Sequence, residues 1–147
     1  MAPARRDHAV TLIELLVTLA IVGTLAALAY PAFRAQLLRA HRTEAIEMLL
    51  RAAAAQERYM LAYGRYATSL ADGGAADGLP ISLHSSGGRY RLTLEAQPAT
   101  SFLLRVTPRP GSGQDDDRHC MVFTLRADGL RGATDDEGRD STPDCWG

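Results

Sequence analysis

From Val10 to Tyr30 the only charged side chain is Glu14, and the rest of the run is apolar or small. A bilayer core about 30 Å thick takes roughly 20 helical residues, which residues 10–30 supply. Beyond it the pattern turns amphipathic. Ile46, Leu49, Ala53, Met60 and Tyr63 recur at helical spacing, with Arg42, Glu44, Glu47, Arg51 and Arg58 on the other faces. Strong helix formers fill this stretch and Gly64 offers a C-cap, so residues 31–63 read as a continuation of the same helix. A helix from Val10 to Tyr63 would extend on the order of 80 Å at 1.5 Å per residue. A rod carrying a small head favours a filament subunit over an enzyme. Pro31 lacks an N–H and should kink this helix. Gly23 is a second weak point, since Gly costs about 1 kcal/mol relative to Ala. Small-residue packing around Gly23, Ala26 and Ala27 is the other reading of that position.

Residues 64–88 are a loop by composition. Tyr59, Tyr63 and Tyr66 are read as anchors of that loop on the helix rather than as an aromatic binding cluster. In residues 89–147 the period changes to two. Tyr90, Leu92 and Leu94 alternate with polar residues, as do Phe102, Leu104 and Val106, and then Met121, Phe123 and Leu125, ending at the Asp128–Gly129 turn. The remainder from Leu130 reads as mostly loop. The expected class is α+β, with an antiparallel meander covering the C-terminal half of the helix.

The flanks orient the apolar run. Arg5 and Arg6 lie in the leader, residues 1–9, and positive-inside logic keeps that end cytoplasmic. A cleaved secretory signal is the simpler alternative, but its apolar core is about 7–15 residues, shorter than this run. A plain anchor helix leaves Glu14 unexplained, because a central acid costs about 2.5–3.5 kcal/mol on insertion scales. Its positive partner must be a backbone terminus or come from another chain. The formal charge is −1 and all 16 basic residues are Arg, so no global basic field attracts nucleic acid. Loss of residues 1–9 leaves 14 arginines against 16 acids. A local DNA strip could still form from Arg126, Arg131 and Arg139, with Arg89 and Arg91 on one strand face.

The stretch AVTLIELLVTLAIVGTLAALAYP resembles the N-terminus of type IV pilins and the related pseudopilins. The resemblance implies cleavage by a prepilin peptidase between Ala9 and Val10 and N-methylation of Val10. Ala9 stands where the family usually has Gly, and Val10 where Phe is most frequent. Glu14, Gly23 and Pro31 match family positions, Gly23 and Pro31 being points of helix flexibility. Glu14 would then meet the Val10 ammonium of a neighbouring subunit and set the register of assembly, since pairing offsets the cost of a charge in low dielectric. The C-terminal half, from RYRLTLEAQP to the final Cys-Trp, is similar to PilE-type minor pilins.

That likeness implies the type IV pilin fold, its long helix packed on a small antiparallel sheet with a disulfide-bounded C-terminal loop. It implies an inner-membrane, single-pass precursor with a periplasmic head, later part of an extracellular pilus. Implied partners are major and minor pilins through the N-terminal helix, the peptidase and an inner-membrane assembly platform. The implied function is that of a minor pilin supporting assembly, twitching motility, adhesion or DNA uptake. A DNA-binding pilin of a competence pilus and a type II secretion pseudopilin are the alternatives.

Cys120 and Cys145 should pair in an oxidising periplasm. Closing a loop of about 25 residues contributes roughly 3.5 kcal/mol by chain entropy. No C-x-x-C supports a redox role. The acids at 115–117 and Asp135, Asp136, Glu137, Asp140 and Asp144 lack EF-hand spacing and read as solvated loops, although some pseudopilins hold calcium in such a loop. His84 and His119 are isolated. No cofactor, metal site or catalytic constellation is expected.

Overall fold

The computed structural model describes residues 11–71, 78–95 and 97–147. Ala9 and Val10 lie outside the described residues. The chain divides into two compact units, Met1–Leu37 and Leu38–Gly147.

In the first unit, helix α1 (Leu12–Tyr63) begins behind Thr11, whose hydroxyl oxygen accepts a hydrogen bond from the Glu14 N–H at 3.3 Å. Thr-x-x-Glu is a helix-start signal, and it places Glu14 in the first turn, where the helix dipole favours an anion. Leu12, Ile13, Leu16, Leu19, Leu25, Leu28 and Phe33 are all exposed. The hydroxyls inside this apolar stretch are satisfied locally. Thr18 donates to the Leu15 carbonyl at 2.9 Å and Thr24 to the Ile21 carbonyl at 2.8 Å, so neither presents an unmet donor to an apolar surround. Among the described residues, α1 is the helix long and apolar enough to cross a membrane. Helical backbone continues through Gly23 and Pro31, so neither ends the element.

The second unit is built on four antiparallel strands in the order β3 (Tyr90–Glu95), β4 (Leu103–Pro108), β5 (Val122–Arg126) and β6 (Arg131–Thr134); β1 (Leu70–Ala71) and β2 (Leu79–Pro80) form a separate parallel pair. Tyr90, Leu92, Leu104, Val106, Phe123, Leu125 and Ala133 form the inner face and share one core with Ala45, Met48, Leu49 and Ala52 of α1. The helix face thus differs from the expected one. Leu49 is central, but Ile46 and Ala53 are only partly buried and Tyr63 is 66% exposed. Two alanines, Ala45 and Ala52, take the central places because small side chains let the sheet approach the helix closely. The buried stripe stops at Gln56, whose amide binds the backbone of Ala67. Just beyond it α1 ends as expected at Gly64, whose φ of 70° suits a left-handed cap and whose N–H donates to Met60 at 2.8 Å.

Two elements replace the expected C-terminal loop. β6 pairs with β5 across the turn at Gly129 (φ 81°), and α2 (Thr142–Trp146) follows, tied to the start of β5 by the Cys120–Cys145 disulfide. Both free edges of the sheet are engaged by the chain itself. Along β3, Ser85 N–H donates to the Tyr90 carbonyl (3.1 Å) and Leu92 N–H to Leu83 (2.9 Å). Along β6, Ser141 N–H donates to Ala133 (2.9 Å), and the Trp146 indole donates to Gly132 (2.9 Å).

Candidate functional site

Directly opposed residues of an antiparallel pair project to the same face. Arg91 stands opposite Thr107, Arg105 opposite Thr93 and Thr124, and Arg126 opposite Leu103. These positions alternate with the core residues, so they belong to the outer face of the sheet. Arg91, Arg105 and Arg126 therefore lie on one straight diagonal across β3, β4 and β5, at steps of about 7–8 Å. Thr93, Thr107 and Thr124 sit between them. Opposite Thr124, Gly132 keeps the face flat, since a Cβ there would lie 2.6 Å from the Thr124 hydroxyl oxygen.

The counter-charges are unevenly placed. Arg105 is ion-paired through Nε with Glu95, and Arg126 with Asp128 at 3.2 Å. Arg91 has no ion pair among the described residues. Glu95 is the acid that the strand register places on this face.

The expected strip of Arg126, Arg131 and Arg139 is not brought together. Arg131 opposes Leu125 and so points to the other side of the sheet from Arg126, where its guanidinium lies 5.1 Å from the Trp146 ring centre. Arg139 binds Asp135 (2.8 Å) and Glu137 (3.1 Å). Nor does Arg89 share the open face with Arg91: it turns to Glu44 of α1, 2.5 Å away. Arg105 was missed by inspection of the arginines alone. Its phase in β4, offset by one from Leu104 and Val106, is the signal that finds it.

Elsewhere the polar groups serve the fold. Arg42 makes a two-point bond to Asp117, Nε to Oδ2 at 2.7 Å and Nη2 to Oδ1 at 2.8 Å, and this bond holds its guanidinium above the ordinary arginine range. Gln114, in a 3-10 turn (Gln114–Asp116), donates to Asp117 Oδ2 (3.2 Å) and to the Leu38 carbonyl (3.1 Å). Burial above all, then the Asp117 charge, raises the Tyr90 hydroxyl well above its usual range. In the tail, the Arg139 N–H leads the donors that hold the Asp135 carboxyl below the usual range. Asp136 pairs with Arg118, and Asp144 lies 3.1 Å from His119. Among the described residues no group of metal-ligating side chains converges. Of the three tyrosines, Tyr66 anchors the loop, edge-on to Phe102 (4.9 Å) and donating to Glu57 (3.0 Å). Tyr59 lies under the guanidinium of Arg65 in the loop, 5.7 Å from its ring centre, and against Tyr63, the ring centres 4.4 Å apart and the planes tilted by 38°.

An apolar N-terminal helix leading into a small antiparallel sheet, with a C-terminal disulfide, defines a type IV pilin fold. A family model described as the prokaryotic N-terminal methylation motif matches residues 4–30, and one described as type IV minor pilin ComP, DNA uptake sequence receptor, matches residues 31–124. The chain belongs to that minor-pilin family and is a minor pilin of a type IV pilus. Among solved structures, a type IV pilin from Shewanella oneidensis is 21% identical over 64% of this chain and 89% of its own, with a TM-score of 0.46. The non-core minor pilin PilV of Neisseria meningitidis is 22% identical over 68% of this chain and 89% of its own, with a TM-score of 0.49. No curated protein matches.

Proposed function

We propose that this minor pilin is inserted in the inner membrane with its N-terminus cytoplasmic, cut between Ala9 and Val10, methylated at Val10, and passed by the assembly platform into an extracellular pilus. There residues 10–30 pack against other pilins. Glu14 carries this reading. It is the one charge in an apolar run, placed in the first helical turn and close to the residue that cleavage would make the N-terminus. The helix dipole supplies about 0.3–1 kcal/mol to such an acid, less than the roughly 2.5–3.5 kcal/mol that an acid costs in the bilayer centre. A neighbour's Val10 ammonium offsets the remainder. Glu14→Ala should leave membrane insertion intact and sharply reduce the protein recovered in sheared pili. Incorporation at the wild-type level would end the register role.

A second reading, contact with duplex DNA during uptake, is favoured by the Arg91–Arg105–Arg126 diagonal on the outer sheet face, where Arg91 and Arg126 are exposed, and by the family model's description as a DNA uptake sequence receptor. Retention of labelled duplex by full-length protein in detergent, weakening as salt rises, is the expected result. No retention at low salt rejects it.

A further inference from the structure

Resting on that second reading, we infer that Glu95 and Asp128 are resident counter-ions that DNA phosphates displace, so that the open sheet face binds duplex through exchange of partners on its arginines. Among the described residues Arg91 has no ion pair, whereas Arg105 is held by Glu95 and Arg126 by Asp128. Both pairs are accessible, the side chains being 37% and 38% exposed in the first and 53% and 55% in the second. Exposed pairs of this kind contribute about 0–1 kcal/mol, so opening them costs little. A guanidinium fork donates to a phosphate in the same two-point geometry as to a carboxylate. The carboxylates therefore lower affinity without blocking the surface. The chemistry also selects the form of nucleic acid. The outer-face positions in the paired register are Arg91, Thr93, Arg105, Thr107, Thr124 and Arg126 with Glu95, Leu103, Val122, Gly132 and Thr134, none of them aromatic. Single-strand binders stack bases on aromatic rings, whereas this face offers cations and hydroxyls to a phosphate backbone.

The experiment is fluorescence anisotropy of a labelled duplex with full-length protein in detergent micelles across a salt series. Wild type is compared with Glu95→Gln, Asp128→Asn, Arg91→Ala and Glu47→Gln. The last removes an acid paired with Arg51 on α1, away from the sheet. Glu95→Gln and Asp128→Asn should each tighten binding several-fold at low salt while keeping the log K against log salt slope near that of wild type, since the same phosphates are contacted. Glu47→Gln should change neither. If wild type binds, and Arg91→Ala weakens it, but the two carboxylate variants leave affinity unchanged or lower it, the counter-ion inference fails and the DNA reading stands. An equal gain from Glu47→Gln overturns it as a bulk charge effect. Tighter binding of a single-stranded probe overturns the duplex assignment. No binding by any variant removes the DNA reading itself.

Discussion

Gln56 replaces a missing strand partner for Ala67: its Nε2 donates to the Ala67 carbonyl at 3.0 Å and its Oε1 accepts from the Ala67 N–H at 2.9 Å, all of it buried. A helix side chain thereby completes the backbone bonding of the loop just after α1. Gln56→Leu keeps the volume and strands both groups, each at about 1–3 kcal/mol. The expected loss is about 2–6 kcal/mol, read by urea denaturation with Trp146 fluorescence; a loss near zero would mean that water serves Ala67 equally well.

Arg42 and Asp117 are 12% and 5% exposed, so their pair is nearly desolvated. Removing one partner of such a pair typically costs about 3–5 kcal/mol, because the other charge is left buried. Arg42→Met and Asp117→Leu should each fall in or near that range. The double variant should lose clearly less than the sum, which a double-mutant cycle on urea midpoints will measure.

The Cys120–Cys145 bond closes a separation of 25 residues. Chain entropy assigns it roughly 3.5 kcal/mol. Reduction, or paired replacement of Cys120 and Cys145 by Ser, should lower the urea midpoint accordingly. Hydrogen exchange should then rise first at Ala133 and Ser141, whose bonds depend on the position of α2.

Asp135 accepts from the N–H groups of Glu137 and Arg139, both at 2.9 Å, and from the Arg139 side chain at 2.8 Å. These donors favour the ionised carboxylate and depress its folded pKa below the ordinary 3.8. The stabilisation is therefore fully present above that ordinary value and is lost as pH falls through the folded one. Asp135→Asn should be less stable than wild type near neutrality. The gap should close in acid below about pH 4, followed by urea midpoints across pH.

Period two was legible in β3, β4 and β5 because large apolar residues occupy alternate positions there, and Phe102, Leu104, Val106, Phe123 and Leu125 are buried as that pattern requires. β6 was not, since Arg131–Gly132–Ala133–Thr134 has one small apolar residue, and its strand form comes from pairing across the Gly129 turn. Hydropathy also misplaced the helix face. It rewards Ile46 over Ala45, whereas close approach to a sheet rewards the smaller residue. Arg131 and Arg126 look alike in the sequence, and only the strand register separates their faces. Glu14 was visible as an anomaly from the outset. Its local support by Thr11 is also written in the Thr-x-x-Glu spacing.

The occupied borders of the sheet bear on how these subunits behave when crowded. Residues 83–85 lie along one border and 141–146 along the other, so a second copy could add a strand only by evicting its own host's segment. Exposed edges are where β proteins stick to one another. A head closed in this way resists amyloid-like stacking and domain exchange at the high local density of a fibre surface.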